Sequence, residues 1–282
     1  MSDVFLLGLL GLLVGSFLNV VIHRLPKMME MRWAAECAEL NHTHEGPTDA
    51  HGVEPAAFNL MVPRSRCPQC GHQIRWFENI PIVSYIVLQG KCSHCAAPIS
   101  PRYPLVELVS GALFAWCGWN WGITWEALAW CVFSASVLAL ACIDWDTTLL
   151  PDDITLPLLW AGLCAAGLGL INTPLPHAVW GAVAGYMSLW LVYWAFKLTT
   201  GKEGMGYGDF KLFAAFGAWF GWQALIPIIL MASVIGAVVG IAIKFMGQLR
   251  EGGYVPFGPF LTIAGLTAMI FGPSAILASI GL

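Results

Sequence analysis

Apolar residues run along this chain in long blocks joined by short polar turns, with one long polar segment at residues 24–103. A helix needs about 20 mainly apolar residues to cross the hydrocarbon layer of a bilayer. The blocks at 4–23, 104–122, 125–143, 154–172, 177–197, 209–221, 223–245 and 256–279 each predict a spanning helix. The sixth block is short and compatible with a kinked or re-entrant segment, so seven crossings stay open beside eight. Gly and Pro recur inside several blocks, which membrane helices tolerate better than soluble ones. No internal repeat is evident. The pattern predicts an all-α polytopic membrane protein of about eight transmembrane helices, with a small domain between helices 1 and 2. Its parts are a first helix at 1–23, a polar domain at 24–103 and a helical bundle at 104–282.

Composition agrees. Of 282 residues, 58% are hydrophobic and 11% charged, whereas soluble domains carry roughly 25% charged residues. The net charge of −4 is modest, and no basic field covers the chain, so nucleic acid is not an expected partner. Membrane lipid is. The start, "MSDVFLLGLLGLLVGSFLNVVIHRLP", lacks a basic leading region and an A-x-A-like cleavage site. It predicts a retained first span, not a removed signal.

Charge placement orients the spans. With eight crossings, all 13 lysines and arginines fall on one side. Arg24, Lys27, Arg32, Arg64, Arg66, Arg75, Lys91 and Arg102 lie in or at the edge of the polar segment. Lys197, Lys202, Lys211, Lys244 and Arg250 follow in later joints. Losing one span would scatter these charges, so the asymmetry also supports eight. The basic side is expected to be cytoplasmic, with both termini outside.

Within the polar segment, "ECAELNHTHEGPTDAHGVEPAAFN" has little periodicity and predicts an irregular excursion. His42, His44 and His51 there read as solvated surface histidines, with metal binding as the alternative. The stretch "CPQCGHQIRWFENIPIVSYIVLQGKCSHC" is more specific. It places Cys67 and Cys70, then Cys92 and Cys95, as two C-x2-C pairs. Two such knuckles can close a four-thiolate tetrahedral zinc site, with Gly71 and Ala96 at the tight turns. A cytoplasmic location argues against disulfides. A closed four-sulfur site has no open coordination position, so this Zn2+ is expected to be structural and to supply folding energy. His94 reads as a bystander between two ligands. Cys37, Cys117, Cys131, Cys142 and Cys164 read mostly as packing residues.

Few acids lie in or beside the spans: Glu107, Glu126, Asp144, Asp146, Asp152, Asp153 and Asp209. Glu126, near the outer surface, reads as solvated. Asp144 ends the third span and Asp209 opens the sixth, so both are expected at the basic ends of their helices. If they meet, they form a dyad in which one carboxyl keeps a proton. The ionised partner can take a proton from water while the other hydrogen-bonds a scissile carbonyl. Helix capping or interfacial solvation is the alternative for both. Gly204, Gly206 and Gly208 precede Asp209 and can admit an extended peptide, or serve interhelical packing or a flexible loop. Lys211 can tune the acid or snorkel to the interface.

"GYGD" followed by "FKLFAAFGAWFG" resembles the GxGD motif of the type IV prepilin peptidases. "IDWDTTLLPDDIT" resembles the segment carrying that family's first aspartate. "GSFLNVVIHRLP", "RYPLVE" and "PFGPF" resemble its other recurring blocks, and the four cysteines match its long bacterial members. These blocks run in order from residue 15 to about 260. The resemblance implies a bifunctional enzyme of the bacterial inner membrane. It would cleave the basic leader of prepilins or pseudopilins after a glycine. It would then methylate the new N-terminal residue, usually phenylalanine, with S-adenosylmethionine. The implied catalytic pair is Asp144 and Asp209, with Asp146, Asp152 and Asp153 as rivals for the first role. Asp144 takes the family's "ID" position, while Asp152 suits a helix N-cap. His23 stands where many members have tyrosine, and residues 36–58 match no block.

The implied methyltransferase region is 24–103. Its candidate patch is "WFENIP", held by the zinc, with Glu78 and Asn79 as cofactor-binding residues or as plain turn residues. No G-x-G-x-x-G after a strand supports the methyl transfer independently. Two other functions stay open: a peptidase without methylation, and a proton-coupled transporter using the two aspartates with the zinc knuckle as an assembly module.

Overall fold

A computed structural model describes residues 1–42, 58–246 and 255–279. Among these residues the chain is helical, with no named strand. The helices are α1 (Ser2–His42), α2 (Val83–Val87), α3 (Arg102–Trp121), α4 (Trp125–Thr147) and α5 (Asp152–Gly167). They continue as α6 (Leu175–Thr200), α7 (Tyr207–Phe220), α8 (Leu225–Phe245), α9 (Gly258–Phe271) and α10 (Pro273–Ser279).

Every predicted span contains helix, but several limits differ. The first helix does not stop at residue 23. It continues through Pro26 to His42. Hydropathy limits the part that can sit in lipid, whereas helix propensity sets where the helix ends. "KMMEMRWAAECAEL" is made largely of good helix formers and has no glycine. Thus residues 36–42 of the expected irregular excursion are helical, while residues 43–57, with His44 and His51, lie outside the described residues. The fourth predicted span ends early at Gly167, before Gly169 at φ +67°. The eighth breaks at Gly272 (φ +82°), where Pro273 starts a new helix.

Among the described residues, four helical stretches are long and apolar enough to cross a membrane: Ser2–Leu40, Trp125–Thr147, Leu175–Thr200 and Trp222–Phe245. α5, α7 and α9 have 16, 14 and 14 residues. At about 1.5 Å per residue they reach only roughly 21–24 Å. Only 22% of the apolar window in α6 and 17% of that in α8 is buried inside the protein. The remainder is apolar surface, suited to lipid and costly in water.

Glycines set the closest helix seams. A Cβ on Gly11 would lie 2.7 Å from Phe114 Cβ of α3, and one on Gly15 the same distance from Glu107 Cα. Gly181 of α6 and Gly217 of α7 each leave no room for a Cβ against the other's backbone. Small residues bring backbones this close where lipid offers no hydrophobic drive for association. At the centre, Trp130, Phe133, Phe216 and Trp219 pack ring on ring, and Trp219 Nε1 donates to Leu158 O at 2.9 Å.

The polar domain hangs from one end of this bundle. Arg24 of α1 donates to Asn59 O at 2.9 Å and Pro63 O at 2.6 Å. Ile82 N, at the start of α2, donates to the buried Glu107 Oε2 of α3 at 2.8 Å.

Candidate active site

α4 ends because Thr148 turns left-handed (φ 56°) and its N–H caps Asp144 O at 2.9 Å. The chain then passes Leu150-Pro151 into α5. α7 starts after Gly206, whose extended backbone (φ −81°, ψ 151°) is the N-cap. Asp144 therefore sits in the last turn of α4 and Asp209 in the first turn of α7. Both are buried, at 5% and 7% exposure, and they lie within electrostatic reach of each other.

Their partners differ. Asp144 Oδ2 accepts the Gly258 N–H at 2.9 Å. That amide opens α9, where an N–H has no partner within the helix. A Cβ at Gly258 would stand 2.6 Å from Asp144 Oδ2, so only glycine lets α9 approach this closely. Asp209 Oδ1 is buried with no hydrogen-bond partner, an arrangement that calls for an explanation in a native protein. The rival acids are exposed, and each faces a cation. Asp146 takes both contacts from Arg102 at 2.7 and 2.8 Å. Asp152 takes Lys211 Nζ on both oxygens at 2.7 Å. Asp153 lies 3.6 Å from Arg32. Asp152 is the first residue of α5, after Pro151 as N-cap, so its side chain braces α7 and caps nothing.

The three glycines separate. A Cβ on Gly208 would meet Leu150 Cβ at 2.6 Å, and one on Gly204 the Phe196 ring at 3.0 Å. Those two positions serve internal packing. At Gly206 the nearest atom to such a Cβ is Asp209 Oδ2, 3.9 Å away, which leaves space beside the carboxylate. None of the three has positive φ.

In the polar domain the two knuckles repeat one geometry. Gly71 N bonds Cys67 O at 2.9 Å and Ala96 N bonds Cys92 O at 3.0 Å, with Gly71 at φ 71° and Ala96 at φ 57°. The four sulfurs lie within 4.8 Å of one another, and Cys67 Sγ to Cys95 Sγ is 3.8 Å. A tetrahedron with metal–sulfur bonds of about 2.3 Å has edges of about 3.8 Å, so the cluster fits one metal ion. Amides of Cys70 and Gln69 hold the Cys67 thiol down to about 6. Cys70, despite a bond from the His72 backbone, is pushed up to about 12 by burial and its sulfur neighbours. A divalent cation would relieve that crowding.

Glu78 and Asn79 are adjacent in the Trp76–Asn79 turn but face different surroundings. Glu78 Oε2 accepts Arg75 N at 2.8 Å and lies 3.4 Å from His72 Nε2. The amide bond from Arg75, then a bond from Ser93, keep its carboxyl below the usual range. It braces the turn against both knuckles. Asn79 is exposed. Sequence reasoning gave no role to Gly258, whose only signal was the "PFGPF" block, nor to Glu107, whose signal was an acid inside an apolar helix.

The family model for the bacterial peptidase A24 N-terminal domain matches residues 9–121, and that for the type IV leader peptidase family matches residues 131–241. A protein of Stutzerimonas stutzeri named prepilin leader peptidase/N-methyltransferase is 54% identical over 263 residues, covering 93% of this chain and 89% of its own. Proteins of the same name from Pseudomonas aeruginosa (53% over 268 residues, covering 94% and 89%) and Aeromonas hydrophila (50% over 269 residues, covering 95% and 91%) are also similar. No solved structure matches the chain.

Proposed function

The chain belongs to the prepilin leader peptidase/N-methyltransferase family, and from that membership we propose that it cleaves the leader of prepilins or pseudopilins after a glycine and then N-methylates the new terminus with S-adenosylmethionine. Asp144 and Asp209 are the catalytic pair. The supporting observation is that these two acids are buried and within electrostatic reach of each other, whereas Asp146, Asp152 and Asp153 are exposed and engaged with Arg102, Lys211 and Arg32.

The chemistry follows from that pairing. Two adjacent carboxylates hold one proton between them and titrate as a unit. The ionised group takes a proton from water, whose oxygen adds to the scissile carbonyl. The protonated group donates a hydrogen bond to that carbonyl oxygen as it gains charge. When the C–N bond breaks, the proton passes to the leaving amine. Gly258 N–H orients Asp144, and the open space at Gly206 admits the peptide backbone beside Asp209.

The chain crosses the inner membrane eight times in this reading. The shorter helices are shielded within the bundle, and both termini lie outside. The support is that contacts at one end join Arg102 to Asp146, Lys211 to Asp152 and Gly258 to Asp144, so the basic ends of α3, α4, α5, α7 and α9 share one face. That face is cytoplasmic by the charge rule, and it is where the basic leader of a membrane-held prepilin would lie. Cys67, Cys70, Cys92 and Cys95 hold a structural Zn2+ that fixes the Trp76–Asn79 turn. S-adenosylmethionine binds the polar domain beside that turn, with Asn79 open to the ligand and Glu78 acting as a brace.

Incubating purified protein with a prepilin and isotopically labelled S-adenosylmethionine tests this directly. The product mass should show loss of the leader and gain of one methyl group. An uncut substrate would refute the peptidase reading, and a cut product without label would leave a peptidase alone.

A further inference from the structure

Among the described residues, the polar domain carries exposed apolar side chains that nothing in the bundle covers. In α2, Val83, Ile86 and Val87 lie at i, i+3 and i+4, which puts them on one side of the helix. They are 54%, 67% and 74% exposed. Trp76, at 82%, and Phe77 extend the face, with their rings packed edge to face at 5.7 Å. Contiguous apolar surface of this kind on a small polar domain marks a docking surface.

We propose that this face seats in the headgroup–acyl boundary of the membrane that the chain itself spans. Height is the first argument. Ile82 N, between the aromatic turn and α2, donates to Glu107 Oε2 at 2.8 Å. Glu107 is a buried residue of α3, flanked by Leu105 and Leu108, which are 58% and 56% exposed on that helix's apolar exterior. The bond ties the domain to α3 within two residues of exposed apolar side chains, which face lipid if α3 spans the membrane as its sequence predicts. Charge is the second argument. Residues 58–101 contain Arg64, Arg66, Arg75 and Lys91, all exposed, against the single acid Glu78. Exposed basic residues together with exposed Trp, Phe and aliphatic side chains, Arg75 lying 5.8 Å from the Phe77 ring, are the composition of an anionic-lipid interface element.

The consequence is positional. Held on the bilayer surface, the domain meets a membrane-anchored N-terminus at the depth of the aspartate pair. The proposal rests on the membrane placement of α1 and α3, and not on the peptidase or the methyl transfer.

The test uses the full chain in nanodiscs of phosphatidylethanolamine and phosphatidylglycerol, with a lipid carrying a photoreactive diazirine near its acyl carbonyl. Trypsin cuts after Arg75 and Lys91, so the face is recovered as one peptide, residues 76–91. That peptide should be labelled in the wild type. In V83S/I86S/V87S its labelling should fall about tenfold, as expected when three aliphatic side chains leave the interface. Peptides from α1 and α3 should be labelled as before, with zinc content unchanged as the check on folding. An unlabelled 76–91 peptide beside labelled span peptides overturns the proposal. So does displacement of the label by saturating prepilin, which would make the face a substrate surface. If the wild type neither cleaves nor methylates, the functional reading fails while the labelling still decides the docking.

Discussion

Replacing Gly258 with alanine probes the proposed catalytic geometry while leaving both aspartates in the sequence. The added Cβ would lie 2.6 Å from Asp144 Oδ2 and 3.1 Å from its Cγ. Ordinary contact begins near 3.4 Å, so the carboxylate or the start of α9 must retreat by about 0.8 Å, on a scale where misplacing a reacting group costs on the order of 100-fold in rate. The same shift lengthens the 2.9 Å bond from Gly258 N–H, a hydrogen bond to a charged group worth about 1.5–3 kcal/mol. The two effects come from one movement and do not add. The expected result is a 10- to 100-fold fall in kcat for leader removal, with a smaller change in KM. The assay follows prepilin cleavage by purified enzyme in nanodiscs, with methylation of an already cleaved pilin as the internal check on folding. Gly240→Ala is the control, since a Cβ there has its nearest neighbour at 4.0 Å. Cleavage by G258A at the wild-type rate would show that Asp144 is not held by α9 during catalysis, and the proposed orientation would be wrong.

Asp144→Ala and Asp209→Ala should each abolish leader cleavage while methylation of a cleaved pilin persists; full cleavage by either variant would dismiss the dyad. Cys67→Ser or Cys95→Ser should lower bound zinc from one ion per chain, read by elemental analysis, and should take methylation with it, because the metal supplies much of the small domain's folding energy. Normal zinc content in both variants would contradict the four-sulfur site. Gly217→Ala forces a Cβ into the backbone of Gly181. It should destabilise the α6–α7 seam by about 1–3 kcal/mol, seen as a lower midpoint of thermal unfolding in detergent, and slow cleavage because α7 carries Asp209. Lys211→Met removes the double contact to Asp152. Because that pair is partly exposed, the stability loss should stay under about 1 kcal/mol, with cleavage slowed only a few-fold; a complete loss of cleavage would mean that Lys211 acts in the chemistry.

The sequence by itself determined where apolar helix would form, which segments carry the positive charge and which cysteines gather. These are local or additive properties. Hydropathy sums over a window, lysines and arginines count by segment, and two C-x2-C turns each fix a pair of sulfurs through their own backbone bonds. It also singled out Asp144 and Asp209, because an acid at the edge of an apolar block is conspicuous wherever it folds. It could not set the far end of α1, since hydropathy falls after residue 23 while helix propensity does not. Nor could it tell five nearby aspartates apart by partner. Arg102 reaches Asp146 across 44 positions of chain and Lys211 reaches Asp152 across 59. Gly258 meets Asp144 across 114, and Gly208 is needed because Leu150 stands beside it. Such contacts depend on helix crossings set by backbone-to-backbone approach at Gly11, Gly15, Gly181 and Gly217. No window of sequence contains both sides of those seams, so only the tertiary structure decided which acids stand against cations and which two are buried within electrostatic reach of each other.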